Sequence, residues 1–103
     1  MRIFNRSTLV QFGRKYSDAD QPLRAWYAEV AAAQWTSPAD IKSRYPHASL
    51  VGKKRVVFNI GGNKYRLIAE IDYAHHLVFV HFLGTHKQYD KVDAETIVWN
   101  PKS

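Results

Sequence analysis

Two hydrophobic periods divide this chain. In the first half apolar residues recur at helical spacing. Leu23, Trp26, Tyr27 and Val30 stand at i, i+3, i+4 and i+7, a stripe that packs one side of a helix on a core. Pro22 suits the first position of that helix, and Gln34 and Trp35 fall near its end. Ahead of it, Met1–Phe4 reads as a short strand. Ser7 is a candidate N-cap for a helix running to about Tyr16, with Val10 and Phe12 on its buried side. Asp18 and Asp20 supply turn and capping chemistry between the two helices. Ser37-Pro38-Ala39-Asp40 repeats the start signal: Ser37 caps, Pro38 takes the first position, and Asp40 meets the positive end of the dipole. Pro46 closes this short third helix.

After a loop over residues 47–54 the period becomes two. Arg55–Ile60 is β-branched and aromatic, Lys64–Asp72 alternates, and Leu77–Leu83 forms a third strand. Gly61-Gly62-Asn63 punctuates the first hairpin, and Tyr73-Ala74-His75-His76 the second. Gly84 ends the last strand, and Thr85–Asp90 opens an irregular or briefly helical tail. No repeat, linker or low-complexity segment interrupts the chain, and 103 residues suit one domain.

Side chains alternate between faces along a strand. Across a hairpin with an even-numbered loop, directly paired residues have numbers summing to an odd value. One face then carries Val56, Phe58, Ile60, Tyr65, Leu67, Ala69 and Ile71, and is expected to bury against the helices. The other carries Arg55, Val57, Asn59, Lys64, Arg66, Ile68 and Glu70, its basic and amide groups gathered near the Gly61-Gly62 turn. The same rule places Leu77, Phe79, His81 and Leu83 on this second face if Asp72 pairs with Leu77. An odd second loop would instead turn His81 into the core. His86 and Tyr89, beyond the last strand, reach the margin of the same surface.

Composition and charge change this picture. At 46% apolar and 14% aromatic residues, the chain can bury a core, which excludes a disordered basic tail. It contains no cysteine, which removes disulfides, zinc–thiolate sites and cysteine nucleophiles and fits a reducing cytoplasm. No apolar run approaches the roughly 18 residues of a membrane span, and no signal-type stretch follows Arg2 and Arg6, so no membrane association is expected. The net charge is +6, yet Lys42, Arg44, Lys53, Lys54, Arg55, Lys64 and Arg66 form an acid-free block of +7, leaving −1 elsewhere. A surplus of this kind fits a polyanion, a phosphorylated ligand or an acidic protein. A merely solvated face would scatter charges of both signs; the second sheet face carries one acid, Glu70.

Arg and Lys can hold a phosphodiester and neutralise charge on its oxygens, while His moves protons near neutral pH. In RNA the 2′-OH is an internal nucleophile, so neither a metal nor a cofactor is required, and no dense carboxylate cluster demands a metal. His75-His76 are neighbours that face opposite ways. Gly61-Gly62-Asn63-Lys64 lacks the length of a nucleotide-binding phosphate loop, and Ser49 lacks a glycine elbow. Trp99 and Pro101 read as a docking tail.

Five blocks carry a resemblance: Pro22-Leu23-Arg24-Ala25-Trp26-Tyr27, Ser37-Pro38-Ala39-Asp40-Ile41-Lys42, Val56-Val57-Phe58-Asn59-Ile60, Gly62-Asn63-Lys64-Tyr65-Arg66-Leu67 and Gly84-Thr85-His86-Lys87-Gln88-Tyr89-Asp90. Taken in order over residues 1–97, they resemble HigB-type toxins of the RelE/ParE-like superfamily. The resemblance implies an α+β fold, with N-terminal helices packed on one face of a small twisted antiparallel sheet. It further implies a ribosome-dependent mRNA interferase of the cytoplasm. Such an enzyme cleaves by 2′-OH attack and pairs with a HigA-type helix-turn-helix antitoxin. Lys64 and Arg66 are then the expected phosphate binders, His86 the acid/base and Tyr89 its support. Lys53, Lys54, Arg55, Asn59, Asn63, His81 and Lys87 are expected to contact RNA. The alternatives are a ParE-like poison of a protein such as gyrase and a non-catalytic RNA-binding module.

Overall fold

The stripe at residues 23–30 and the alternation after residue 55 fold into a helical layer on one face of a sheet. A computed structural model describes residues 1–98, so the docking tail expected at Trp99 and Pro101 lies outside the described residues. In chain order the elements are β1 (Arg2–Phe4), α1 (Arg6–Lys15), α2 (Ser17–Ala32), α3 (Pro38–Arg44), β2 (Ser49–Val51), β3 (Arg55–Ile60), β4 (Tyr65–Asp72), β5 (Leu77–Thr85) and α4 (His86–Tyr89). The sheet order is β1-β5-β4-β3-β2. The strands from β2 to β5 are antiparallel neighbours, but β1 runs parallel to β5, so the sheet is mixed where an antiparallel one was expected. The helices lie between β1 and the hairpins, and a long crossover of this kind permits parallel pairing.

Three local expectations are corrected. The 47–54 stretch is not all loop: Ser49–Val51 pairs with β3, and Gly52 turns the chain at φ 62. Ser7 lies inside α1, whose N-cap is Asn5 in a left-handed conformation; the Asn5 amide donates to the Val80 carbonyl at 3.0 Å instead of capping. Pro22 lies inside α2, which starts at Ser17. The two helices meet almost without a loop because Gly13 lets them close: a Cβ there would come within 2.8 Å of Asp20 Oδ1. The third helix starts at Pro38 as expected, although Asp40 bonds back to Thr36 while the Ser37 side chain makes no cap bond.

The core lies between helices and sheet. Leu23, Trp26, Val30, Trp35 and Ile41 meet Val56, Phe58, Leu67, Ala69, Ile71, Val78 and Val80. Phe58 sits at its centre, with the rings of Trp26, Tyr45 and Trp35 at 5.4, 5.1 and 6.3 Å. Burying a side chain of this size contributes about 1.5–3 kcal/mol.

Ile60 pairs with Tyr65 and Asp72 with Leu77, so both hairpin loops are even-numbered and parity assigns the faces of β3 and β4 correctly. A β-bulge then intervenes. Ile68 pairs with Phe82 and Ala69 with Val80, which leaves His81 as the extra residue. A bulge re-aims everything beyond it. Phe82 joins the second face, and Leu83, expected there, pairs with Leu67 and packs against the core. The second face is also partly covered. Val57 and Ile68 are buried although they point away from the helices. The Arg55 guanidinium ties the chain beyond α4 to this face through the carbonyls of Ala94 (3.0 Å) and Ile97 (2.5 Å).

Candidate active site

The open part of the second face is the end where the β3–β4 turn meets α4. Asn59 lies directly opposite Arg66 on β4, and Arg66 opposite Gly84 on β5. One step further along, the His86 N–H donates to the Lys64 carbonyl at 3.2 Å. Lys64, Arg66, Asn59 and Asn63 are thus gathered with the His86, Lys87 and Tyr89 of α4.

A four-residue helix does not hold itself. Here a capping box fastens it: Thr85 Oγ1 accepts from the Gln88 N–H at 3.2 Å, and Gln88 Oε1 accepts from the Thr85 N–H at 2.9 Å. Gly84 makes room for this. A Cβ on it would come within 2.6 Å of the Phe82 ring and 2.7 Å of Gln88 Oε1. The Tyr89 ring in turn rests near Phe82, 6.5 Å between centroids.

Arg66 donates only to two backbone carbonyls, Asn63 at 3.2 Å and Tyr65 at 3.4 Å. Among the described residues no carboxylate pairs with it, so its charge is not neutralised. Lys64 is held differently. Its ammonium lies 2.9 Å from Asp18 Oδ2 at the start of α2, and the Tyr65 hydroxyl donates to the other oxygen. The Tyr65 and Lys64 bonds together keep the Asp18 carboxyl below its usual range, and the bond to Asp18 pushes the Tyr65 phenol up to about 12. Lys64 therefore reaches toward the helical layer and not straight across the second face. The pair is exposed, and exposed pairs exchange readily. His86 Nδ1 lies 3.4 Å from Asp90 Oδ2, and among the described residues its Nε2 makes no hydrogen bond.

The remaining candidates lie elsewhere. The Arg55 side chain is 11% exposed, clamps the chain beyond α4, and lies 3.6 Å from Glu70. The His81 side chain, 16% exposed, has Nε2 3.3 Å from the same Glu70 oxygen, yet neither ring nitrogen completes a hydrogen bond. Burial first, and the Arg55 charge second, lower its pKa. Lys53 and Lys54 occupy the β2–β3 turn, roughly 17 Å along β3 from the gathered residues at about 3.3 Å per residue.

Two features had no local signal in the sequence. One is Asp18, whose partners are Lys64 and Tyr65, far along the chain. The other is a groove of about 430 Å³ beside Asn59, lined by Arg44, Tyr45, Pro46, His47, Gly62 and Asn63 among others. Among the described residues no group of three or more His, Asp or Glu is placed to hold a metal ion. No described helix is long and apolar enough to cross a membrane.

Residues 19–92 match the family model of the HigB toxin, described as the RelE-like toxic component of a toxin–antitoxin system. The mRNA interferase HigB of Escherichia coli O6:H1 is 26% identical over 94 residues, covering 89% of this chain and 91% of that protein. The mRNA interferase toxin HigB of Escherichia coli K12 and the mRNA interferase HigB of Shigella flexneri are each 26% identical over 92 residues, covering 87% of this chain and 88% of theirs.

Proposed function

Because the chain belongs to the HigB toxin family, RelE-like toxic components of toxin–antitoxin systems, we propose that it acts as an mRNA interferase, an endonuclease that stops translation by cutting messages. Its natural counterpart is an antitoxin, which we take to be a HigA-type helix-turn-helix protein. Its substrate is mRNA engaged by the ribosome in the cytoplasm. The observation that supports the reading best is an arginine without an acidic partner, two residues from a lysine whose carbonyl anchors the histidine-bearing α4.

In this reading Arg66 holds the scissile phosphate and takes up charge on its non-bridging oxygens. Lys64 leaves Asp18 to join it. His86 Nε2 accepts the 2′-OH proton while Asp90 steadies the ring from the Nδ1 side. The 2′-oxygen bonds to phosphorus, the bond to the 5′-oxygen breaks, and a 2′,3′-cyclic phosphate and a 5′-OH remain. Tyr89, three residues after His86 and so on the same side of α4, supports it in this reading by returning a proton to the leaving oxygen. The chain's own groups supply this chemistry without a metal.

Primer extension on total mRNA after brief induction tests the reading. New 5′ ends are expected with the wild type and at least about 100-fold fewer with His86→Ala, the scale of general acid–base catalysis. Growth arrest with intact messages would overturn it in favour of a protein target. Unchanged cutting by His86→Ala would remove His86 from the mechanism.

A further inference from the structure

We propose that the groove between the α3–β2 loop and the β3–β4 turn is a subsite for one unpaired nucleobase of the RNA, next to the phosphate held by Arg66; the proposal rests on the interferase reading above.

The groove adjoins the candidate active site. Asn59 lies on its wall and opposite Arg66, and Arg66 donates to the carbonyl of Asn63, another wall residue. A nucleotide whose phosphate sits on Arg66 therefore has this cavity within reach of its neighbour's base. Its volume, about 430 Å³, falls within the range of small-molecule pockets. The entrance is open at Gly62, where φ is 70 and a Cβ would meet nothing within 4 Å.

The opposite wall is stiff. Lys42 Nζ donates to the carbonyls of Pro46 (2.8 Å) and Ala48 (2.7 Å), and the Ala48 N–H donates to the Tyr45 carbonyl (3.0 Å). The Arg44 guanidinium is tied to Glu29 at 2.6 Å and lies over the Tyr45 ring, and the Tyr45 hydroxyl donates to the same carboxylate. Lys42 and Arg44, the first two cations of the basic block, together with Tyr45 thus hold the loop that presents His47.

The chemistry of the lining selects a base over a phosphate. A phosphate asks for donors and net positive charge, whereas the one guanidinium of the lining, Arg44, is turned toward Glu29 and the Tyr45 ring. Asn59 and Asn63 instead offer amides, each a donor and an acceptor side by side, the pattern that matches a base edge. Among the described residues neither amide side chain bonds to the rest of the protein, so both are available. The Arg44 guanidinium, one face over the Tyr45 ring, adds with its other face a stacking surface of the kind single-stranded RNA uses.

Two measurements test this. The first titrates the purified protein with each nucleoside 3′-monophosphate, and with inorganic phosphate, while following the NMR signals of the Asn59 and Asn63 side-chain amides. Saturable shifts that differ among the four bases and are absent with inorganic phosphate are expected. Unmoved amides, or equal shifts with inorganic phosphate, would overturn the proposal. The second maps cleavage ends across cellular messages for the wild type, Asn59→Ala, Asn63→Ala and His47→Ala. Base discrimination at one position beside the cut is expected to fall by about fivefold or more in the two Asn variants, the scale of one lost bidentate contact. Variants that unfold cooperatively yet keep the wild-type base frequencies would also overturn it. A protein that binds the nucleotides at these amides but cuts nothing would support the subsite and sink the interferase reading, so the two failures are distinguishable.

Discussion

The seven cations between Lys42 and Arg66 have the same formal charge and different physical roles. Lys42 clamps a loop, Arg44 answers Glu29, Arg55 ties down the chain beyond α4, and Lys64 is paired with Asp18. Of these five only Lys42 and Arg66 have no carboxylate partner among the described residues. Lys42 spends its ammonium on two loop carbonyls at 2.8 and 2.7 Å, whereas Arg66 makes only two long contacts, 3.2 and 3.4 Å, to carbonyls of its own turn. Arg66→Ala should therefore lower cleavage by about 100-fold or more, the loss expected when one donor to a developing anion is removed. Its thermal unfolding should stay cooperative, which a melting curve measured beside the cleavage assay checks. His81 makes a different prediction. Its pKa is lowered in the folded protein, so below the ordinary 6.5 the unfolded chain binds a proton that the folded chain refuses. Stability is then full above pH 6.5 and falls as pH drops from there toward the lowered native value. His81→Gln should flatten that part of the profile, measured by urea unfolding at about pH 7.5 and about pH 5.5.

At the scale of elements, α4 is the piece on which the site depends and the one least able to stand alone. Its capping box and the missing side chain at Gly84 hold it against β5. Gly84→Ala should cost about 1–3 kcal/mol by overpacking against Phe82 and Gln88, and should reduce cleavage beyond the loss of folded protein. Denaturant unfolding and cleavage measured on the folded fraction separate the two effects. The strands β3 and β4 and the start of α3 were legible because period-two alternation and Ser-Pro-x-Asp punctuation are local signals. The start of α2 was not, since the proline signal at Pro22 competes with the close packing of Gly13 on Asp20. Nor was the bulge at His81, because no residue type marks the point where a ladder slips by one.

For the whole molecule, charge is divided between structure and surface, which gives RNA binding a measurable signature. With about three phosphate contacts, from Arg66, Lys64 and Lys87, the slope of log affinity against log salt should be near −2 for single-stranded RNA, at about −0.7 per contact. Lys64→Ala should make it shallower by about 0.7, as salt-dependent binding to a non-cleavable RNA would read. Periodicity and hairpin punctuation were enough for the order of helices and strands apart from β2, and for the apolar face of β3 and β4, while a count of charges located the +7 block. The five sequence blocks carried the family, and with it the expectation of an RNA-cutting toxin. These are properties of neighbours in the chain, where spacing and side-chain type act directly. Only the folded chain decided that β1 joins β5 in parallel, that Arg55 lies beneath the segment beyond α4 and shares Glu70 with His81, and that Asp18 takes hold of Lys64. The physical reason is distance: each of these joins residues far apart in sequence, and pairing across such gaps is set by how whole layers pack, which no local pattern of residues encodes.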